Sequence, residues 1–116
     1  MSISDLLLPI STLVVIFSLY RQFGGKVAPG KARELVKGGA RLVDVRTRAE
    51  FAAGHIEGAV NIPVGELGAR LGEVGDREKA VVVYCASGMR SASAAGALRG
   101  AGFLQVHDLG AMARWG

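Results

Sequence analysis

The chain has 116 residues, room for one small domain, and half of them are hydrophobic, enough for a core. Its single cysteine excludes an intrachain disulfide and a cysteine-based zinc cluster, and a lone thiol fits a reducing compartment. The net charge of +4 is scattered, with no basic stripe interleaved with aromatics; this argues against nucleic acid and leaves small anions or an anionic membrane surface as partners.

In chain order, the first feature is an apolar run from Ile3 to about Phe23, roughly the twenty residues a helix needs to span a bilayer. Pro9 falls in its first turns, and Ser11, Thr12 and Ser18 can bond back to their own helix. The run is apolar all round rather than striped, and it lacks the basic start and small-residue cleavage site of a signal peptide. Residues 1–23 are therefore expected to be a single membrane-anchor helix. Arg21, Lys26, Lys31 and Arg33 follow it, which predicts that the rest of the chain faces the cytoplasm. Residues 24–29, with Gly24, Gly25 and Pro29, read as a linker, and residues 30–116 as the folded domain.

In that domain, Ala32, Leu35 and Val36 share one face of a helix that ends on Gly38-Gly39. "ARLVDVR" reads as a buried strand. "TRAEFAAG" reads as a short helix with Thr47 as N-cap and Glu50 completing a capping box. Ala59 to Ile62 is a second strand closed by Pro63, and "VGELGARLGEVG" a weak helix punctuated by glycine. "KAVVVYC" is the strongest strand, followed by a small-residue helix "RSASAAGALRGAG", a strand "LQVHDL" and a last helical turn "GAMARWG". Strands alternating with helices predict an α/β fold with a parallel sheet covered on both faces.

Ligand sites in such sheets lie beyond the carboxyl ends of the strands, and Cys85 ends the strongest one. Ala86, Ser87, Gly88 and Met89 then form a short loop into a helix N-terminus. Its backbone N–H groups and helix dipole favour negative charge at the loop centre, so the sulfur is expected as a thiolate. Arg90 adds a fixed cation, and Ser91 can cap the helix or donate to the sulfur. Such a nucleophile suits phosphoryl or arsenyl transfer, or transfer of a sulfane sulfur through a cysteine persulfide. Arg90 lies five positions after Cys85, a loop tighter than a tetrahedral oxyanion calls for.

These residues carry a resemblance. "LVDVRTRAEFAAGHIEGAVNIP" (Leu42 to Pro63), "VVVYCASGMRSASAAGALRGAGF" (Val81 to Phe103) and "VHDLGAMARW" (Val106 to Trp115) resemble, in order, three motifs of the rhodanese family, over Gly30 to Gly116. The resemblance implies a three-layer α/β/α fold with a small parallel sheet, here preceded by one hydrophobic helix. It implies a sulfurtransferase with Cys85 as persulfide carrier, the amides of Ala86, Ser87, Gly88, Met89 and Arg90 around the persulfide, and Arg90 binding an anionic donor. The related dual-specificity phosphatases have a loop one residue longer. Ala86 stands where thiosulfate-preferring members often carry a second cation, and Met89 adds apolar surface, which leaves the donor open between thiosulfate and another persulfide. A thiol or cyanide would be the acceptor, and a persulfide-carrying protein is a further candidate partner. Gly110-Ala111 replaces the usual Gly-Gly and implies a local backbone adjustment. The alternatives are a low-turnover binding or regulatory module on the same fold, and a cysteine-dependent phosphatase or arsenate reductase.

Asp44 and Arg46 fall near the same sheet edge, as a rim to the site or as an ion pair with Glu50 at the helix start. His55 and His107 read as structural, and Trp115 as a cover for the core. No metal-ligand spacing and no nucleotide-binding glycine fingerprint are present, so no cofactor is expected.

Overall fold

The computed structural model describes residues 10–15 and 25–116. Residues 10–15 are helical, with Ile10, Leu13, Val14 and Val15 exposed. Most of the expected anchor over residues 1–23 lies outside the described residues. Among the described residues no helix is long and apolar enough to cross a membrane. This overturns the expected single-pass membrane location with a cytoplasmic domain. The longest helix within residues 25–116 has 12 residues, well short of the roughly 20 a membrane span requires.

Four strands form one parallel sheet: β1 (Arg41–Asp44), β2 (Val60–Asn61), β3 (Val81–Cys85) and β4 (Val106–Ala111), in the order β2-β1-β3-β4. Every residue of β3 is buried, as a central strand covered on both faces must be. Its side chains alternate between two cores. Val81, Val83 and Cys85 join Ala94, Ala95 and Leu98, while Val82 and Tyr84 join Ala32, Leu42 and Leu109. Helix α4 (Met89–Gly100) covers the first face; α1 (Pro29–Lys37) and the last 3-10 turn (Met112–Trp115) cover the second. Trp115 packs partly buried against that second core.

Helix α1 starts with Pro29 at its first position, where the missing N–H costs nothing. The segment expected as a linker is docked in its described part: Val27 N–H donates to the Asp108 carbonyl at 2.8 Å. Helix α2 (Arg48–Ala53) has the expected capping box, with Thr47 and Glu50 exchanging side-chain-to-backbone bonds at 3.1 Å. β2 is shorter than expected because Ala59 N–H turns back to the Ile56 carbonyl and Pro63 offers no N–H. The weak helix over residues 64–75 is two pieces, a 3-10 helix (Val64–Ala69) and the short α3 (Leu71–Val74). The expected adjustment near Gly110 is a bulge. The β3–β4 register slips between Val83 and Tyr84, Leu109 is skipped in the pairing, and Gly110 takes φ +85°.

Under the carboxyl edge lies a buried ion pair. Asp44 is 0% exposed and Arg46 6%. Arg46 Nε and Nη2 grip the Asp44 carboxylate at 2.7–3.1 Å, and the Arg46 backbone N–H adds a bond to Oδ1 at 2.9 Å. Arg46 Nη2 also donates to the Gly54 carbonyl at 2.6 Å, fixing the end of α2. The Arg46 guanidinium lies over the Tyr84 ring, 5.8 Å from its centroid, and Tyr84 Oη accepts the Ile56 N–H at 3.1 Å. Asn61 Nδ2 closes the network by donating to the carbonyls of both Asp44 and Arg46.

Asp44→Ala leaves the Arg46 guanidinium buried without its carboxylate. The expected loss is about 3–5 kcal/mol of unfolding free energy, read as a lower urea midpoint.

Candidate active site

Cys85 is the last residue of β3 and has no exposed surface. Ala86 and Ser87 turn outward into solvent, and Gly88 turns the chain back as the N-cap of α4, at φ 105° and ψ −13°. That backbone conformation favours glycine. The space there would admit a Cβ, at 3.5 Å from Lys26 Cε and 3.7 Å from Gly110 Cα, so it is conformation rather than crowding that selects Gly88. The turn aims the Gly88 N–H at Cys85 Sγ, 2.9 Å away.

Burial pushes the Cys85 thiol up. Against it stand the Ser91 hydroxyl and the backbone N–H groups of Ser91, Gly88 and Ser87, and together they win: the thiol lies below its ordinary value. Ser91 is itself buried, and its Oγ also bonds the Gly88 carbonyl at 3.1 Å. That hydroxyl has a single proton, given either to the Gly88 carbonyl or to the sulfur. Of the amides expected around the sulfur, that of Gly88 bonds it directly, and those of Ser87 and of Ser91, the latter outside the expected set, also help to lower the thiol. Met89, the first residue of α4, is 81% exposed at the loop surface.

Arg90 does not point freely into the loop. Its Nη1 and Nη2 make a two-pronged contact with Glu50, at 2.6 and 2.9 Å. This Arg90 contact, followed by the Thr47 bonds, holds the Glu50 carboxyl down at about 2 against an ordinary 4.5. The stabilisation is thus complete above pH 4.5 and is lost as pH falls through about 2.

Asp44 and Arg46 are not a rim and do not cap α2 with Glu50. They are buried, and they support the loops from below. Lys26 is a neighbour that the glycine-rich sequence around it conceals. Its Nζ pairs with Asp108 Oδ2 at 3.0 Å, and its stem crosses Gly110 closely enough that a Cβ there would sit 2.8 Å from Lys26 Cδ. His55 stacks on Phe51 with centroids 3.6 Å apart and bonds the Phe51 carbonyl through Nδ1. His107 is half-buried on β4, and burial, with Arg99 and Lys31, lowers its pKa. Among the described residues no group of three or more His, Cys, Asp or Glu is gathered to hold a metal. A groove of about 510 Å³ lined by Lys31, Leu35, Lys79 and Gln105 lies at the opposite, amino-terminal edge of the sheet from Cys85.

A strand-end thiol with its charge held by the following helix N-terminus agrees with the comparison to known families. The family model of the rhodanese-like domain matches residues 28–116. The chain belongs to the rhodanese family. The uncharacterised protein YqhL of Bacillus subtilis (strain 168) is 42% identical over 78 residues, covering 66% of this rhodanese but only 61% of YqhL. The thiosulfate sulfurtransferase GlpE of Ectopseudomonas mendocina (strain ymp) is 36% identical over 84 residues, 72% of this rhodanese and 76% of GlpE. The human single-domain sulfurtransferase TSTD1 matches in structure with a TM-score of 0.71 at 34% identity, over 78% of this rhodanese and 93% of TSTD1. The rhodanese-like α/β fold with a small parallel sheet is thus shared with sulfurtransferases.

Ser91→Ala removes the hydroxyl that lowers the Cys85 thiol, so the thiol's titration midpoint moves up and less thiolate is present at neutral pH. The ultraviolet absorbance of the thiolate against pH measures this. An unmoved midpoint would leave the backbone amides as its sole support.

Proposed function

We propose that this rhodanese carries sulfane sulfur on Cys85, within a catalytic unit spanning residues 30–116. In the first step Sγ attacks the sulfane sulfur of the donor. With thiosulfate, the donor S–S bond breaks and sulfite leaves with the electron pair; with a thiol persulfide, the thiolate leaves instead. In the second step a thiol or cyanide attacks the outer sulfur of the Cys85 persulfide, and the electron pair of the broken S–S bond returns to Sγ. The first step needs no general base, because Sγ is already a thiolate; in the second, cyanide attacks directly and a thiol acceptor attacks as its thiolate, its proton having gone to solvent. Residues Ala86 to Arg90 and Ser91 form the cradle for the outer sulfur.

The observation that carries this reading is the Gly88 N–H on Sγ at 2.9 Å, at the N-terminus of α4. It supports a negative sulfur without any metal or neighbouring imidazole. The short path from Cys85 to Arg90 supports a one-atom cargo over a phosphoryl group. The donor is left as thiosulfate or another persulfide.

A low-turnover binding module is the second reading, favoured by the engagement of Arg90 with Glu50. Intact mass after exposure to thiosulfate and to a thiol persulfide decides between them. Wild type is expected to gain the mass of one sulfur atom and Cys85→Ser none. If wild type gains nothing from either donor while Cys85→Ser still captures the same partners, the binding module is the correct reading.

A further inference from the structure

The cation nearest in sequence to the reactive loop is already occupied. The two terminal nitrogens of Arg90 face the two oxygens of Glu50 at 2.6 and 2.9 Å, the arrangement in which an arginine would bind a sulfur oxyanion. Glu50 is held in place from its other side as well. Its Oε1 accepts the Thr47 N–H and the Thr47 hydroxyl, both at 3.1 Å, so the carboxylate is fixed by the start of α2 whether or not Arg90 moves. Lys26, whose stem lies beside Gly88, is likewise paired, with Asp108. Ala86 contributes no charge. Each of these two cations therefore has a carboxylate counter-charge in direct contact.

We propose that Glu50 determines donor choice by standing as an internal carboxylate on the anion-binding face of Arg90. A dianionic donor such as thiosulfate must displace it and meets its charge. A thiol persulfide, whose reacting sulfurs carry at most one negative charge at the end of a thin chain, loses little. Glu50 acts through Arg90 and touches no reacting atom; it is a specificity-determining residue. The proposal rests on Cys85 being the persulfide carrier, and the test separates the two.

Glu50→Gln suits the test because glutamine also serves at this position of a capping box, and α2 buries no side chain that the change could disturb. Persulfide formation on Cys85 is followed by intact mass, against thiosulfate and against glutathione persulfide. Glu50→Gln is expected to lower the half-saturating thiosulfate concentration about twofold to fivefold, the range for releasing a partly exposed ion pair. The maximal rate and the response to glutathione persulfide stay close to wild type. Thr47→Ala, which weakens the cap but leaves the carboxylate against Arg90, lowers Tm and leaves thiosulfate saturation unchanged. The proposal is overturned if folded Glu50→Gln takes sulfur with unchanged or weaker thiosulfate saturation. A Thr47→Ala effect equal to that of Glu50→Gln also overturns it, since that would be loosening of α2 alone. If neither wild type nor variant gains sulfur from either donor, the persulfide reading itself fails.

Discussion

A carboxylate and a guanidinium shut away from water underlie the geometry of this site. Asp44 ends β1, and Arg46 reaches back to it and forward to the carbonyl of Gly54, the residue that caps α2. Such a pair adds little net stability over a well-packed apolar substitute, because each charge loses its hydration on burial. What it supplies here is position. It ties the end of β1 to both the far end of α2 and the Tyr84 ring on the neighbouring strand, one residue before Cys85. The strand that carries the sulfur and the helix that carries Glu50 are thereby held to one frame, and the contact between Arg90 and Glu50 joins the two sides across 40 residues.

Within that frame the sulfur is governed by opposition between two effects. A thiol with no exposed surface resists ionisation, yet the first turn of α4 offers donors that have no helical partner of their own. Gly88 makes this possible through its backbone: a turn through positive φ directs its N–H inward, and the helix begins at the next residue. Ser91 then reinforces both the turn and the sulfur from inside the helix. The stabilising groups are neutral dipoles, while the ionised side chains nearby are matched in pairs.

Local features were legible in the sequence because local chemistry decides them. The Val81–Cys85 run reads as a buried strand, Thr47 and Glu50 announce a helix start, and Gly88 marks the turn after the cysteine. What the sequence conceals is pairing at a distance. Glu50 satisfies its capping role completely within four residues, so nothing local signals its second partner at Arg90. Asp44 and Arg46 lie on either side of Val45, and their spacing alone does not distinguish a solvent rim from a sealed pair. Lys26 sits among glycines and a proline that read as linker, while its partner Asp108 is on the last strand. The apolar run before it has the length and composition of a membrane span, but no helix among the described residues is long and apolar enough to be one.

The chain has one cysteine, and that cysteine has no surface. Without a second thiol in this chain it cannot form an internal disulfide, so a mixed disulfide or persulfide formed there must be resolved by another molecule. Access to Sγ then acts as a filter on those molecules. A reagent must be slim enough to pass the loop or must prise it open, and the bulk of an oxidant or reductant counts for as much as its potential. Steric insulation thus gives this thiol a kinetic selectivity that its lowered pKa alone would remove, since a freely exposed thiolate reacts with every electrophile in solution.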